Sequence, residues 1–408
     1  MTSPANNPSI ASSLWVRQAP PGYNQTVTIA RYIAFVAIAF LCLSDRRAAT
    51  ALDYIKIRQG ETHREIAGKI EVEAEDGGVM LLARDGALWP IAKEDLLERR
   101  SDSRPFEPFS RDELAKQLTA ELPGFQVHQT QHYLIHYNTS PAYARWVGSL
   151  FEGLHKAFYN YWTRRGAVLH EPEFPLIALV FDGQASFAKY AHAEIGATGN
   201  SIIGYYNLKT NRMTSYDLTG VEAAGLSTDR NAAAKINQIL SRPGAERTIA
   251  TIVHEATHQL AFNSGLQVRF ADVPFWVSEG IAIFFETPNL ESTKGWRNIG
   301  AVNRVNLTNF RNYLKRRPAG SLEQLLTGDK RFKDSTTATD AYAEAWALNY
   351  FLLKNRGEAY VKYLGALAQQ KPLIDVEPAE RLKQFKEFLG DDLLSLENDF
   401  LRYLRTVN

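Results

Sequence analysis

His254 and His258 stand four residues apart, with Glu255 directly after the first, in the stretch Thr248-Ile-Ala-Thr-Ile-Val-His-Glu-Ala-Thr-His-Gln-Leu-Ala-Phe262. On a helix, two imidazoles one turn apart project side by side and can grip one metal ion. A carboxylate next to them can take a proton from water. This is the chemistry of the His-Glu-x-x-His zinc motif, in which the histidines hold the metal and the glutamate is the general base. The element that must carry it is legible too. Ile249, Ile252, Val253, Ala256 and Leu260 recur at helical spacing and give one face apolar enough to be core. The competing reading is a helix whose histidines are satisfied by local hydrogen bonds.

A catalytic zinc needs a third protein ligand and one position left open. The longer motif with a glycine and a third histidine further along the chain is excluded, because Ala261 and Ser264 occupy those places. A glutamate on a following helix is the other common solution. Pro274-Phe-Trp-Val-Ser-Glu-Gly-Ile-Ala-Ile-Phe-Phe-Glu286 reads as that helix. Pro274 suits a first turn, and apolar residues on nearly every side mark the helix as buried. Glu279 sits in its middle, where an ionised carboxylate needs a compensating cation. Zinc is one candidate for that cation and Arg269 is the other. Asn263-Ser264-Gly265 ends the first helix and lets the chain turn back.

His254-Glu255-Ala-Thr-His258 followed by Trp276-Val-Ser-Glu279-Gly-Ile-Ala resembles the gluzincin clan of zinc peptidases, and within it the peptidase-MA-like group of bacterial proteins of unknown function. Phe181-Asp-Gly-Gln-Ala-Ser-Phe187, Gly204-Tyr-Tyr206 and Ala341-Tyr-Ala-Glu-Ala-Trp346 extend the likeness over residues 110 to about 370. The resemblance implies that His254, His258 and Glu279 are zinc ligands and that Glu255 is the base; it does not supply the biological substrate, and the leading expectation is hydrolysis of a peptide bond in a peptide or protein. The resemblance also implies a role for Tyr342, since gluzincins place a Tyr or His downstream of the ligands to hydrogen-bond the tetrahedral intermediate. A buried core tyrosine is the other reading of that residue. Gluzincins bind substrate backbone along the sheet edge nearest the metal, and Arg212 to Leu218 is the candidate edge.

The fold class expected is α+β: a zincin-like catalytic domain over 110–408, with a small mixed sheet, the motif helix and a helical C-terminal part, preceded by a small antiparallel β barrel. Lys69 to Glu75 alternates apolar and charged residues as a half-buried strand does. Asp76-Gly77-Gly78 and Asp85-Gly86 are hairpin turns around Val79 to Ala83, and Ala87 to Ile91 is a further strand. Residues 53–105 therefore read as an SH3-like β domain, with Glu71, Glu73 and Glu75 on a solvated face, and Ser101 to Pro108 as a linker. His132 and His136 lie on a strand without an acidic companion and read as polar-face residues. After Glu286 the chain is almost wholly helical.

Charge is balanced at +1, with 46 basic and 45 acidic residues, and no basic run is interleaved with aromatics, so nothing recommends nucleic acid and no nucleic-acid partner is expected. The single cysteine, Cys42, excludes a disulfide framework within the chain and a cysteine-based metal site. Residues 1–51 read as a disordered leader with a signal peptide or anchor. Tyr32 to Leu43 is uncharged, short for a bilayer span and right for a signal core, with Ala48-Ala49-Thr50-Ala51 as the cleavage region. The expected location is thus secreted, periplasmic or cell envelope. The alternative is membrane anchoring through residues 32–43. A second functional reading is a zinc-holding but non-catalytic module that binds cell-envelope material.

Overall fold

The computed structural model describes residues 51–220, 232–240, 245–287 and 299–408. The leader expected before Ala51, including Cys42 and the apolar segment 32–43, lies outside the described residues. The described chain is mixed α and β, and it divides into two compact units between Phe109 and Ser110.

In the N-terminal unit, β1 (Ala51–Gln59), β2 (Thr62–Glu73), β3 (Val79–Ala83), β4 (Leu88–Ile91) and β5 (Leu96–Pro105) form one sheet in the order β4-β3-β2-β1-β5. Every neighbouring pair is antiparallel. Alternation sends Ile55, Ile57, Ile66, Val79, Leu81 and Ile91 into a shared apolar core. The expected barrel is not closed: β4 and β5 end the strand order, and no pairing joins them among the described residues. The linker expected over Ser101 to Pro108 is also corrected, since Ser101 pairs with Asp53 and Pro105 with Ala51 inside β5. Most of β5 is exposed. Its extended form comes from its ladder with β1 rather than from side-chain alternation. Glu71 and Glu73 are solvent-facing, ion-paired to Lys69 and Arg99.

The second unit opens with α1 (Arg111–Glu121), started by a capping box between Ser110 and Glu113. Its sheet combines β6 (Gln126–Gln129), β7 (Tyr133–Tyr137), β8 (Leu176–Phe181), β9 (Gly204–Asn207) and β10 (Arg212–Tyr216) in the order β6-β7-β8-β10-β9. The three central strands are parallel and the two outer ones antiparallel. The substrate edge expected over Arg212 to Leu218 is therefore wrong. β10 is paired on both sides, and the edge strand on that side of the sheet is β9.

Helices α2 (Pro141–Thr163) and α3 (Gln184–Ile195) connect the parallel strands, and α4 (Ala232–Leu240), α5 (Ala245–Asn263) and α6 (Phe275–Phe285) follow the sheet. The remainder is helical, as the sequence leads one to expect: α7 (Arg304–Leu314), α8 (Ser321–Thr327), α9 (Lys330–Lys333), α10 (Ala338–Asn355), α11 (Gly357–Leu367), α12 (Pro378–Leu389) and α13 (Leu393–Thr406). Among the described residues, no helix is long and apolar enough to cross a membrane.

Packing around α6 fixes the third candidate ligand. All of α6 from Trp276 to Phe285 is buried, as an all-apolar helix should be. Trp276 stacks on Tyr360 and Tyr363 of α11. Gly280 lets α10 come close: a methyl added there would lie 1.9 Å from Asn349 Nδ2. That amide instead donates to the Trp276 carbonyl at 2.7 Å. The start of α6 is pinned as well. Asp329 accepts from the Phe275 backbone N–H and, with Asp272, holds the buried guanidinium of Arg381.

Candidate metal centre

Helix α5 has two functional stripes, each with a spacing of four. Along one lie His254 and His258. Along the other lie Glu255, Gln259 and Asn263, which turn toward the sheet. Gln259 donates to the carbonyls of Ile177 and Asn211 at 3.0 and 2.9 Å. Asn263 and Asn211 exchange amide hydrogen bonds at 2.7 and 2.8 Å. Asn211 adopts a positive φ of 61°, a conformation that Asn tolerates better than most residues. This buried amide ladder sets the rotation of α5 about its own axis, and with it the aim of both stripes.

The chain turns after α5, through Gly265 at φ 79°, and brings α6 back against it. Glu279 is then fully buried beside the two imidazoles. His254 Nε2 lies 3.0 Å from His258 Nε2 and 3.2 Å from Glu279 Oε2. His258 Nε2 lies 3.7 Å from Glu279 Oε1. One ligand atom from each residue falls within 4.8 Å of the others, so the three can hold a metal ion. The donor set fits a cation on chemical grounds: two imidazole nitrogens and a carboxylate converge in a place where almost no water reaches them.

The opposite nitrogen of His254 is held by a residue that sequence reasoning missed. Nδ1 lies 2.6 Å from Glu286 Oε1, and Glu286 Oε2 accepts from Asn303 Nδ2 at 3.1 Å. A carboxylate on Nδ1 orients the ring and leaves Nε2 to face a metal. The signal was present, since Glu286 follows Glu279 by two helical turns and so shares its face. Asn303 belongs to a distant segment, where it caps α7, and no local spacing could have announced it.

Charge is unevenly shared between the two histidines. Burial opposes a proton on His254, but Glu279 and Glu286 outweigh it and hold its pKa well above the usual imidazole range. Burial, and then the neighbouring His254, pushes His258 well below that range. Glu255 is buried, and burial raises its carboxyl to about 8. Its Oε2 accepts a 2.9 Å hydrogen bond from the Tyr206 backbone N–H, on the edge strand β9. The base candidate is therefore anchored to the sheet edge by a main-chain donor.

The remaining sequence candidates fall as follows. Tyr342 is buried on α10, with its ring edge-on to Phe332. Arg269, the alternative cation for Glu279, donates to the Leu208 carbonyl at 3.2 Å. His136 is buried in β7 and stacked on Phe125, so it is not a polar-face residue. His132 precedes β7 and does have an acidic companion, with its Nδ1 2.7 Å from Glu152 Oε2.

A family model described as protein of unknown function (DUF1570) matches residues 248–374. No curated protein matches the chain. The matched segment runs from α5 through α11 and contains His254, Glu255, His258, Glu279, Glu286 and Tyr342. Over the part that carries the candidate metal centre, the chain is thus similar to a family whose function is not assigned.

Proposed function

We propose that this chain is a zinc-dependent peptide hydrolase of the gluzincin type, acting outside the cytoplasm. The observation that carries the reading is the convergence of His254, His258 and Glu279 from two packed helices, with Glu255 on the same turn. Zinc suits two imidazoles and one carboxylate, a ligand set that leaves a coordination position for chemistry. Bound there, it supplies Lewis acidity, polarising a carbonyl and making water acidic enough to lose a proton near neutral pH.

The protein's own groups supply the rest. Glu255 takes the proton from water as the water oxygen attacks the scissile carbonyl carbon. It then delivers that proton to the amine as the C–N bond breaks. Burial favours the neutral carboxyl of Glu255 and so helps it hold the proton between the two transfers. The Tyr206 N–H holds Glu255 in place at the edge strand, beside which an extended peptide can lie. Glu286 fixes the His254 ring. The family resemblance would give Tyr342 the hydrogen bond to the developing oxyanion, worth about 3 kcal/mol if correctly aimed.

The decisive variant is Glu255→Gln. It should keep zinc and lower peptide hydrolysis by roughly 10³-fold, the middle of the range for a general base. Unchanged turnover would end this mechanism. Wild-type protein that holds zinc yet cleaves nothing in a peptide library would favour the non-catalytic envelope module instead.

A further inference from the structure

We infer that Asn303 is a positioning residue for the candidate metal centre: its side-chain amide fixes the Glu286 carboxylate that holds His254, and so ties the aim of that ring to helix α7. The inference rests on the zinc-hydrolase reading for the ion, while the tether itself is a property of the chain.

The segment that delivers Asn303 is built for close approach to α6. Gly300 has a φ of 72°, and its N–H donates to the Phe284 carbonyl, in the last turn of α6, at 3.3 Å. A methyl on Gly300 would lie 2.1 Å from the Phe284 ring, so a larger residue would push the segment off the helix. Ile299 and Val302 pack on the main apolar core. Asn303 follows, buried, and opens α7 as its N-cap.

Asn303 uses both ends of one amide. Oδ1 accepts from the Asn306 backbone N–H at 3.1 Å, which caps α7, and Nδ2 donates to Glu286 Oε2 at 3.1 Å. These partners fix the orientation of the amide, because a backbone N–H only donates and a carboxylate only accepts. Glu286 Oε1 is then the oxygen left for His254 Nδ1, at 2.6 Å.

The residue type follows from this double duty. Asp and Ser cap a helix about as well as Asn does. Asp, however, has no donor to offer Glu286, and a Ser or Thr hydroxyl sits one bond nearer the backbone than Nδ2. Asn alone among the strong caps carries an acceptor and a donor at that reach. The Glu286 side chain is 18 % exposed, so without the amide, water would compete for Oε2 and the carboxylate would be free to rotate. Replacing an ordinary cap would leave His254 undisturbed. Replacing a tether would not, because the groups behind a metal-bound histidine set its orientation and its hold on the metal.

The test uses full-length protein carrying Asn303→Ser, which keeps a cap and withdraws the donor, alone and combined with Glu286→Gln. Zinc affinity is read by competition with a chelator. The setting of the His254 ring is read in the metal-free protein from its nitrogen-15 imidazole signals, assigned by their absence in His254→Asn. Asn303→Ser should shift those signals and weaken zinc binding about 3- to 10-fold, less than the loss of the carboxylate that touches the ring. In the Glu286→Gln background the same substitution should add nothing, because Asn303 acts through Glu286. Asn303→Asp also keeps the cap and loses the donor, so it should shift the same signals, and it serves if the Ser variant does not fold.

Unchanged affinity with unchanged ring signals overturns the tether. Losses that simply add in the double variant also overturn it, since they mark a cap and nothing more. If the wild type binds no zinc, the hydrolase reading falls and the ring signals decide the tether alone: a shift supports it, and no shift overturns it.

Discussion

Among the described residues of the second unit, two glutamates are fully buried, and they are compensated in opposite ways. Glu344 of α10 meets permanent charge. Arg317 Nε and Arg331 Nη1 each lie 2.7 Å from its oxygens, and Ser321 Oγ donates to both. Glu279 of α6 meets two imidazoles, whose charge depends on protons. Guanidinium groups lock a carboxylate into the fold whatever the solution contains. Imidazoles exchange a proton for a metal ion at ordinary pH. The first arrangement ties α10 to the segments around α8 and α9, and the second leaves room for a cation from outside. Burial of a carboxylate therefore says little until its partners are known.

The comparison can be broken most directly at Glu344. Glu344→Ala leaves two half-buried guanidiniums without their carboxylate and should cost about 3 kcal/mol in denaturant unfolding of the metal-free protein. Glu279→Gln in the same metal-free protein should cost well under that, about 1 kcal/mol. Equal losses would show that Glu279, too, is a structural ion-pair residue. Next in size is Glu286→Gln, which removes the carboxylate behind His254. Zinc affinity should fall about 10- to 100-fold with the fold intact, as competition with a chelator would reveal. An unaltered affinity would mean that the 2.6 Å contact does not orient the ring.

A third buried titratable group sharpens the contrast, because no metal chemistry is assigned to it. His136 is buried against Phe125, and burial pushes its pKa down to about 4. The unfolded chain, with a value near 6.5, takes up the proton first as pH falls. Stability from this group is therefore complete above about pH 6.5 and is lost progressively toward pH 4, by about 2 kcal/mol at pH 5. His136→Phe keeps the stacking and removes the titration, so its unfolding free energy should fall less steeply between pH 7 and 5. Parallel slopes would show that His136 is not held neutral.

The sequence disclosed the parts of the site that are local along the chain. Spacing of four placed His254 and His258 on one face of α5, and the apolar surroundings of Glu279 placed it in a buried helix. Gln259 and Asn263 follow Glu255 at the same spacing, and they were legible in principle as a stripe turned to the sheet. What stayed hidden depends on pairing between distant segments. β5 has little apolar alternation and becomes a strand through β1. Alternation alone could not say whether the first sheet closes, nor which of β9 and β10 stands at the edge. Likewise, Asn303 behind Glu286 and Glu152 behind His132 are contacts across the fold that no periodicity records.

The most direct measurement is anomalous scattering at the zinc absorption edge from crystals of the zinc-loaded full-length protein. A peak about 2 Å from His254 Nε2, His258 Nε2 and a Glu279 oxygen is the result this account requires. Density at those three side chains with no zinc signal between them, in crystals grown with saturating zinc, would contradict it.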